Sequence, residues 1–372
     1  SGRTKSGARA ASSHTGSLAS LDVAVDALFQ QTGVIRVDTL EELFDVTNLL
    51  SNEPIPKGRR VGVVTNAGGP AILAVDALES RGLEVPVLSE ALQDELREKL
   101  SPEAAIRNPI DMIAAAGAKE YGEVLEAMLA ADELDSVIAI HIPASAIDVA
   151  EIQGTIRAIG EAHEGDKTFL AVFMQSGKIS DDAPKVVSTV PEFAFPERAA
   201  RALYDAVRYG EWLRRPEGEI PVFEDIDRER ARTALERALN ASAEDGDWLD
   251  PDTVHDILES YGLQIPAAGV AVDEDDAVAR AAAIGQPVVL KVLSPSALHK
   301  SDVGGVVLDV EGEGPVRAAF RQVTAAVPDP EGVLIQEFVP GGHEVLIGMV
   351  EDPNFGPLVV FGLGGIFVEL IG

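Results

Sequence analysis

Residues 287–306 read PVVLKVLSPSALHKSDVGGV. The apolar, β-branched start predicts a short buried strand that ends by presenting Lys291. A loop containing His299 follows, then Gly304-Gly305, then a returning strand over Val306–Val310. A hairpin of this kind lays a lysine and bare backbone amides over the phosphates of a nucleotide. Further on, Gln336-Glu337-Phe338-Val339 reads as a strand end suited to hydrogen-bonding an adenine edge. Glu344 stands where a carboxylate partner for a ribose would stand.

Outward from the hairpin, the flanking segments complete one α/β unit. Helices are predicted near Asp252–Tyr261, Asp273–Ile284 and Val316–Val327, and strands at Ala267–Val272, Val333–Val339, His343–Val350 and Leu358–Phe361. A strand lysine near a Gly-Gly turn is common by chance, but these features in this order resemble an ATP-grasp domain. Residues 216–247 are charged, carry an Arg/Glu-rich helix at Asp227–Leu239, and read as a linker before an ATP-grasp domain over 248–372.

Upstream, residues 57–215 alternate strand and helix. Val61–Thr65, Leu83–Leu88, Val137–Ile142 and Phe169–Met174 are expected as strands, with helices running to Ser80 and at Ser89–Leu100, Tyr121–Ala131, Val149–Ala162 and Ala199–Arg215. This alternation predicts a doubly wound parallel sheet, flavodoxin-like if five-stranded. The turn Asn66-Ala67-Gly68-Gly69, followed by Pro70 at a helix start, offers amides and a positive dipole end to an anion. Residues 21–50 read as two helices with Leu21, Val25, Leu28 and Phe29, then Leu40, Leu43, Phe44 and Val46, on their apolar faces; Pro54, Pro56 and Gly58 mark a boundary.

The first twenty residues, SGRTKSGARAASSHTGSLAS, place Arg3, Lys5 and Arg9 beside Ser12-Ser13-His14-Thr15-Gly16. An exposed imidazole among cations and hydroxyl donors suits phosphoryl transfer. The plainer reading is a flexible chain end with an N-capping hydroxyl.

Composition narrows the class. The chain has 372 residues, 46% of them hydrophobic, enough for two or three packed domains. A net charge of −32, from 62 acidic and 30 basic residues, repels nucleic acid and anionic membrane. No apolar run approaches a membrane span and no signal peptide is visible, so a cytoplasmic protein is expected. With no cysteine, disulfides and thiolate metal sites are excluded. Abundant acids with scarce lysine resemble the proteins of salt-loving archaea.

The segments SSHTGSLA, VGVVTNAGGPAILAVDAL, NPIDM, VVLKVLSPSALHKSDVGGV, IQEFVPGGHEVLIGM and FGPLVVFGLGGIFVEL together resemble the ADP-forming acyl-CoA synthetases. The nearest subgroup is the archaeal acetate–CoA ligases, relatives of succinyl-CoA synthetase. The resemblance implies reversible conversion of acyl-CoA, ADP and phosphate to carboxylate, ATP and CoA, through an acyl phosphate and a phosphohistidine on a swinging loop. It implies His14 as the phosphoryl carrier and His299 as a second relay near the nucleotide. It puts Lys291, Gly304 and Gly305 on the ATP phosphates, Glu337 and Glu344 on the nucleoside, and Asn66, Gly68 and Gly69 in an anion cradle. Glu369 is then the candidate Mg²⁺ ligand. Asp111 is explained equally by turn formation and by ligand contact, and His141, His163 and His255 are assigned to structure or surface.

The expected partners are nucleotide, phosphate, acetate or another small carboxylate, and coenzyme A, in a homo-oligomer. The chain starts at Ser1 in mid-loop and stops at Gly372 just after a glycine turn and a strand-like run, as a piece of a longer protein would. Residues 1–56 are then the end of a first flavodoxin-like domain. The family's CoA-binding Rossmann domain, its first cradle helix and the end of its ATP-grasp domain are expected outside these residues. Two rival readings are an acyl-CoA-binding regulatory or acetyltransferase-fused relative, and a plain ATP-grasp ligase without a phosphohistidine.

Overall fold

The computed structural model describes residues 22–143, 149–174, 188–241, 249–295, 303–352 and 354–363. The chain divides into two compact units, Ser1–Glu217 with Val350–Leu358, and Gly218–Met349 with Val359–Gly372.

The first unit is built on a five-stranded sheet. Its strands are β1 (Val61–Thr65), β2 (Ile110–Asp111), β3 (Ser136–His141), β4 (Thr168–Phe173) and β5 (Glu192–Phe193), in the order β2-β1-β3-β4-β5. Every pairing is parallel, which is the doubly wound, flavodoxin-like arrangement. Strands β1, β3 and β4 are buried along their whole length because helices cover both faces. One face carries Val64, Val137, Ala139, Phe169 and Ala171 into a core with helices α4 (Glu90–Lys99), α5 (Ala118–Ala130) and α6 (Val149–Ala162). The other packs Val61, Val63, Ile138, Ile140, Leu170 and Val172 against α2 (Leu40–Asn52), α3 (Gly68–Glu79) and α7 (Pro196–Arg214). Helix α1 (Asp22–Thr32) precedes them.

Two local expectations are corrected. Leu83–Leu88 does not form a strand: it makes a single parallel bridge, Arg60 to Glu84. Pro86 has no N–H with which to extend that ladder. The position beside β1 is filled instead by Asn108, whose amide accepts from Val63 N at 2.9 Å and donates to Val61 O at 3.0 Å. Ile110–Asp111 then continues the pairing against Val64–Thr65. On α2, Leu40 and Phe44 are 73% and 69% exposed and Leu43 is also exposed, while Val46 and Leu49 are buried. The helix turns that way because Asp45 receives a two-pronged ion pair from Arg198 of α7, at 3.0 and 2.7 Å, and Glu42 pairs with Arg201.

The second unit holds a four-stranded sheet, β6 (Ala268–Ala271), β7 (Val288–Leu293), β8 (Val306–Val310) and β9 (Gly332–Glu337), ordered β6-β9-β7-β8 and antiparallel throughout. Helices α10 (Glu274–Ile284) and α11 (Glu313–Ala325) cover one face, where Val288, Leu290, Val333 and Ile335 join Ala277, Ala281 and Val316. Helix α8 (Arg228–Ala241) lies in the charged stretch and packs on α9 (Pro251–Ser260). Arg230 grips Asp256 and Glu259, and Asp227 N bonds Ser260 O at 2.8 Å. Strands β10 (Val345–Asp352) and β11 (Gly356–Leu363) form a separate two-stranded sheet. Among the described residues no helix is long and apolar enough to cross a membrane.

Candidate functional site

In a parallel sheet the carboxyl ends of all strands share one edge, and ligands bind there. In the first unit that edge is shaped by Asn66. Its side chain donates to Ile142 O at 2.8 Å and accepts from Ile142 N at 3.0 Å, tying the end of β1 to the end of β3. Beside it the Tyr121 hydroxyl donates to Ile140 O at 2.7 Å. Asn66 was expected to offer its groups to an anion. Its side chain is committed to the protein, which makes it the clamp beneath the edge.

The turn continues with Ala67 N–H bonded to Thr65 Oγ1 at 3.2 Å, and α3 begins at Gly68. The first-turn amides of a helix have no partner within it, so Gly68 and Gly69 keep donors at the positive end of α3. Pro70 removes one N–H but has the backbone angle a helix start needs. A side chain at Gly68 would sit 3.1 Å from Asp111 Oδ2, while Gly69 faces open space. Asp111 therefore stands beside this helix end, its other oxygen accepting from Ile113 N at 3.0 Å.

On the α5 side of the same edge lies His141, the last residue of β3. It is 2% exposed and edge-on to Tyr121, with ring centroids 5.8 Å apart. Burial lowers its pKa, which favours the neutral ring, and its Nδ1 has no hydrogen-bond partner among the described residues. The structural role assigned to it fits this burial. Tyr121 was not singled out by sequence reasoning, and the aromatic residue at the head of α5 gave no separate signal.

In the second unit Lys291 occupies the third-from-last position of β7. Antiparallel register sets it opposite Leu334, on the sheet face away from α10 and α11. Gln336, two residues along β9, shares that face, and Lys291 Nζ donates to Gln336 Oε1 at 2.7 Å. A cavity of about 610 Å³ opens over the face, walled by Ala268, Leu334, Gln336, Ile265, His255 and Arg237 among others. Its size is that of a small-molecule pocket. His255, read from sequence as structural or surface, belongs to this wall.

At the hairpin, Gly304 has a φ of +75°, a left-handed backbone that glycine adopts without strain, and Gly305 O accepts from Val292 N at 2.8 Å to close the β7–β8 turn. Glu337 N donates to Ala267 O at 2.8 Å while its carboxylate accepts from Ala267 N at 3.4 Å. Glu344 is exposed in the segment before β10. Lys291 and Gln336 are thus joined, Glu337 follows on the same strand, and Glu344 stands apart. His14, His299 and Glu369 lie outside the described residues. Among the described residues no group of three or more acids or histidines is arranged to hold a metal ion.

Comparison with known proteins adds an independent line. Residues 240–372 match the ATP-grasp domain family, and residues 1–50 match the succinyl-CoA ligase like flavodoxin domain. The chain is 33% identical to a 4-hydroxybutyrate–CoA ligase (ADP-forming) of Nitrosopumilus maritimus, a match covering 100% of this chain and 53% of that protein. It is 35% identical to acetate–CoA ligase (ADP-forming) I of Archaeoglobus fulgidus, again over 100% of this chain and 53% of the relative. The chain therefore spans about half the length of the curated relatives it matches. The dinucleotide forming acetyl-coenzyme A synthetase 1 of Ca. Korarchaeum cryptofilum, solved with phosphate and ADP, superposes with a TM-score of 0.51. That match has 29% identity and covers 57% of this chain and 46% of the other.

Proposed function

This chain is homologous along its whole length to ADP-forming acyl-CoA ligases, and from that premise we propose that the protein carrying it interconverts acyl-CoA, ADP and phosphate with carboxylate, ATP and CoA. The observation that carries the reading is the lysine-bearing face of β7 and β9 beside its cavity, within the residues that match an ATP-grasp domain.

In this scheme a phosphate oxygen attacks the thioester carbonyl, and the thiol of CoA leaves to give an acyl phosphate. A ring nitrogen of His14 attacks the phosphorus and expels the carboxylate. The β-phosphate oxygen of ADP then takes the phosphoryl group, forming ATP and freeing the imidazole. A covalent carrier is what a reaction needs when its acyl-transfer and nucleotide steps occupy separate sites that do not share one transition state. The first-turn amides of Gly68 and Gly69 would hold the phosphoryl oxygens, with Asn66 fixing the edge from which α3 starts. Lys291 would meet the nucleotide phosphates as a compact point charge, helped by the amides of Gly304 and Gly305. Glu337 and Glu344 would face the nucleoside, His299 would act as a relay, and Glu369 would be a magnesium ligand. The same reading makes the enzyme a cytoplasmic homo-oligomer, with acetate or another small acid as substrate.

The test uses the intact protein with acetyl-CoA, ADP, phosphate and magnesium. ATP formation that requires all three substrates, with equimolar release of free thiol, is expected. Formation of AMP and pyrophosphate in the reverse direction, or turnover independent of phosphate, would contradict it.

A further inference from the structure

Lysine ammonium groups on open sheet faces have several rotamers and a strong hydration shell, so presenting one to a ligand costs side-chain entropy unless a neighbour restrains it. Lys291 has such a neighbour. The β7–β9 register places Gln336 diagonally across from it on the same face, and the bond from Nζ to Oε1 is 2.7 Å long. Both side chains are half-buried, and Gln336 also lines the cavity of about 610 Å³. The ammonium only donates, so the amide must turn its oxygen toward it, and a hydrogen bond to a charged group is stronger than a neutral one.

We propose that Gln336 is a positioning residue whose amide oxygen holds the Lys291 ammonium over the sheet face away from α10 and α11, ready for the phosphates of a nucleotide in the adjacent cavity. The proposal rests on the nucleotide reading given above. It assigns Gln336 no contact with the reacting atoms: its effect passes through Lys291.

A double-mutant cycle on the intact protein separates this from a structural role. Binding of ADP and of adenosine, each with magnesium, is measured by calorimetry for wild type, Gln336→Met, Lys291→Met and the double variant. Gln336→Met should weaken ADP about five- to tenfold and adenosine clearly less, because only the phosphates meet the lysine. On the Lys291→Met background the same change should cost nothing further. Gln336→Glu gives a second reading that keeps the side chain's shape: its carboxylate pairs with the ammonium and competes with the phosphates, so ADP again weakens more than adenosine. ADP affinity unchanged in both Gln336 variants, equal losses for ADP and adenosine, or additive losses in the cycle would each overturn the proposal. Wild-type protein that binds no ADP would overturn the nucleotide reading itself, before any variant is compared.

Discussion

Asn66 lies at the carboxyl edge of the first sheet, yet its side chain is spent on the backbone of Ile142. Asn66→Ala would leave the Ile142 N–H and C=O without those partners in a partly buried place, at a cost of about 2–4 kcal/mol. Denaturant unfolding of the intact protein measures this, and a change under about 0.5 kcal/mol would show that the clamp is dispensable. Glu53, at the end of α2, carries a second residue-scale consequence. Burial pushes its carboxyl up to about 7 from 4.5, although Phe169 N donates to it at 2.9 Å and pulls the other way. The folded protein therefore keeps a proton that the unfolded chain has released. That stability is fully present below about pH 4.5 and is lost as the pH rises through about 7. Screened by partial solvent access, the loss should be about 1–2 kcal/mol, and Glu53→Gln should abolish this part of the pH dependence. An identical fall in the variant would assign it to other groups.

Among elements, helix α7 is the spine on which α1 and α2 rest. Trp212 of α7 donates from Nε1 to Gln31 O at 3.2 Å, and Gly33, with a φ of +72°, lies under its ring. An alanine there would set its methyl 2.5 Å from the indole and take up a left-handed backbone. Gly33→Ala should cost about 2–3 kcal/mol, read as a fall of several degrees in the melting temperature. An unchanged melting curve would mean that the α1–α7 contact contributes nothing to stability.

Elements with a strong period were legible in advance: the helix Val149–Ala162 and the strand Val306–Val310 lie where their apolar spacing put them. Leu83–Leu88 misled because apolar residues around Pro86 look like a strand while offering too few N–H donors to pair as one. The face of α2 was misassigned because its inward surface is fixed by Asp45 and Glu42 pairing with α7, and hydrophobic spacing cannot register ion pairs. Lys291 was legible from its strand and the glycines that follow. The clamp role of Asn66 and the cavity wall at His255 were not, since both depend on which backbone lies opposite in space.

For the molecule as a whole, the two units carry different sheets, one parallel and one antiparallel, and the proposed reaction assigns one centre to each. Under the proposed function, the charge of −32 would leave anionic substrates to be gathered by local features such as Lys291 and the start of α3. A split reaction needs a messenger, and His14 is the residue assigned to it. The most direct measurement is to incubate the intact protein with ATP and magnesium, then map any acid-labile, alkali-stable phosphoryl group by peptide mass spectrometry. Phosphate on His14, discharged by adding ADP or by adding carboxylate with CoA, is the expected result. Full turnover with no phosphoprotein, or with His14→Ala as active as wild type, would contradict the carrier mechanism and leave direct transfer at a single ATP-grasp site.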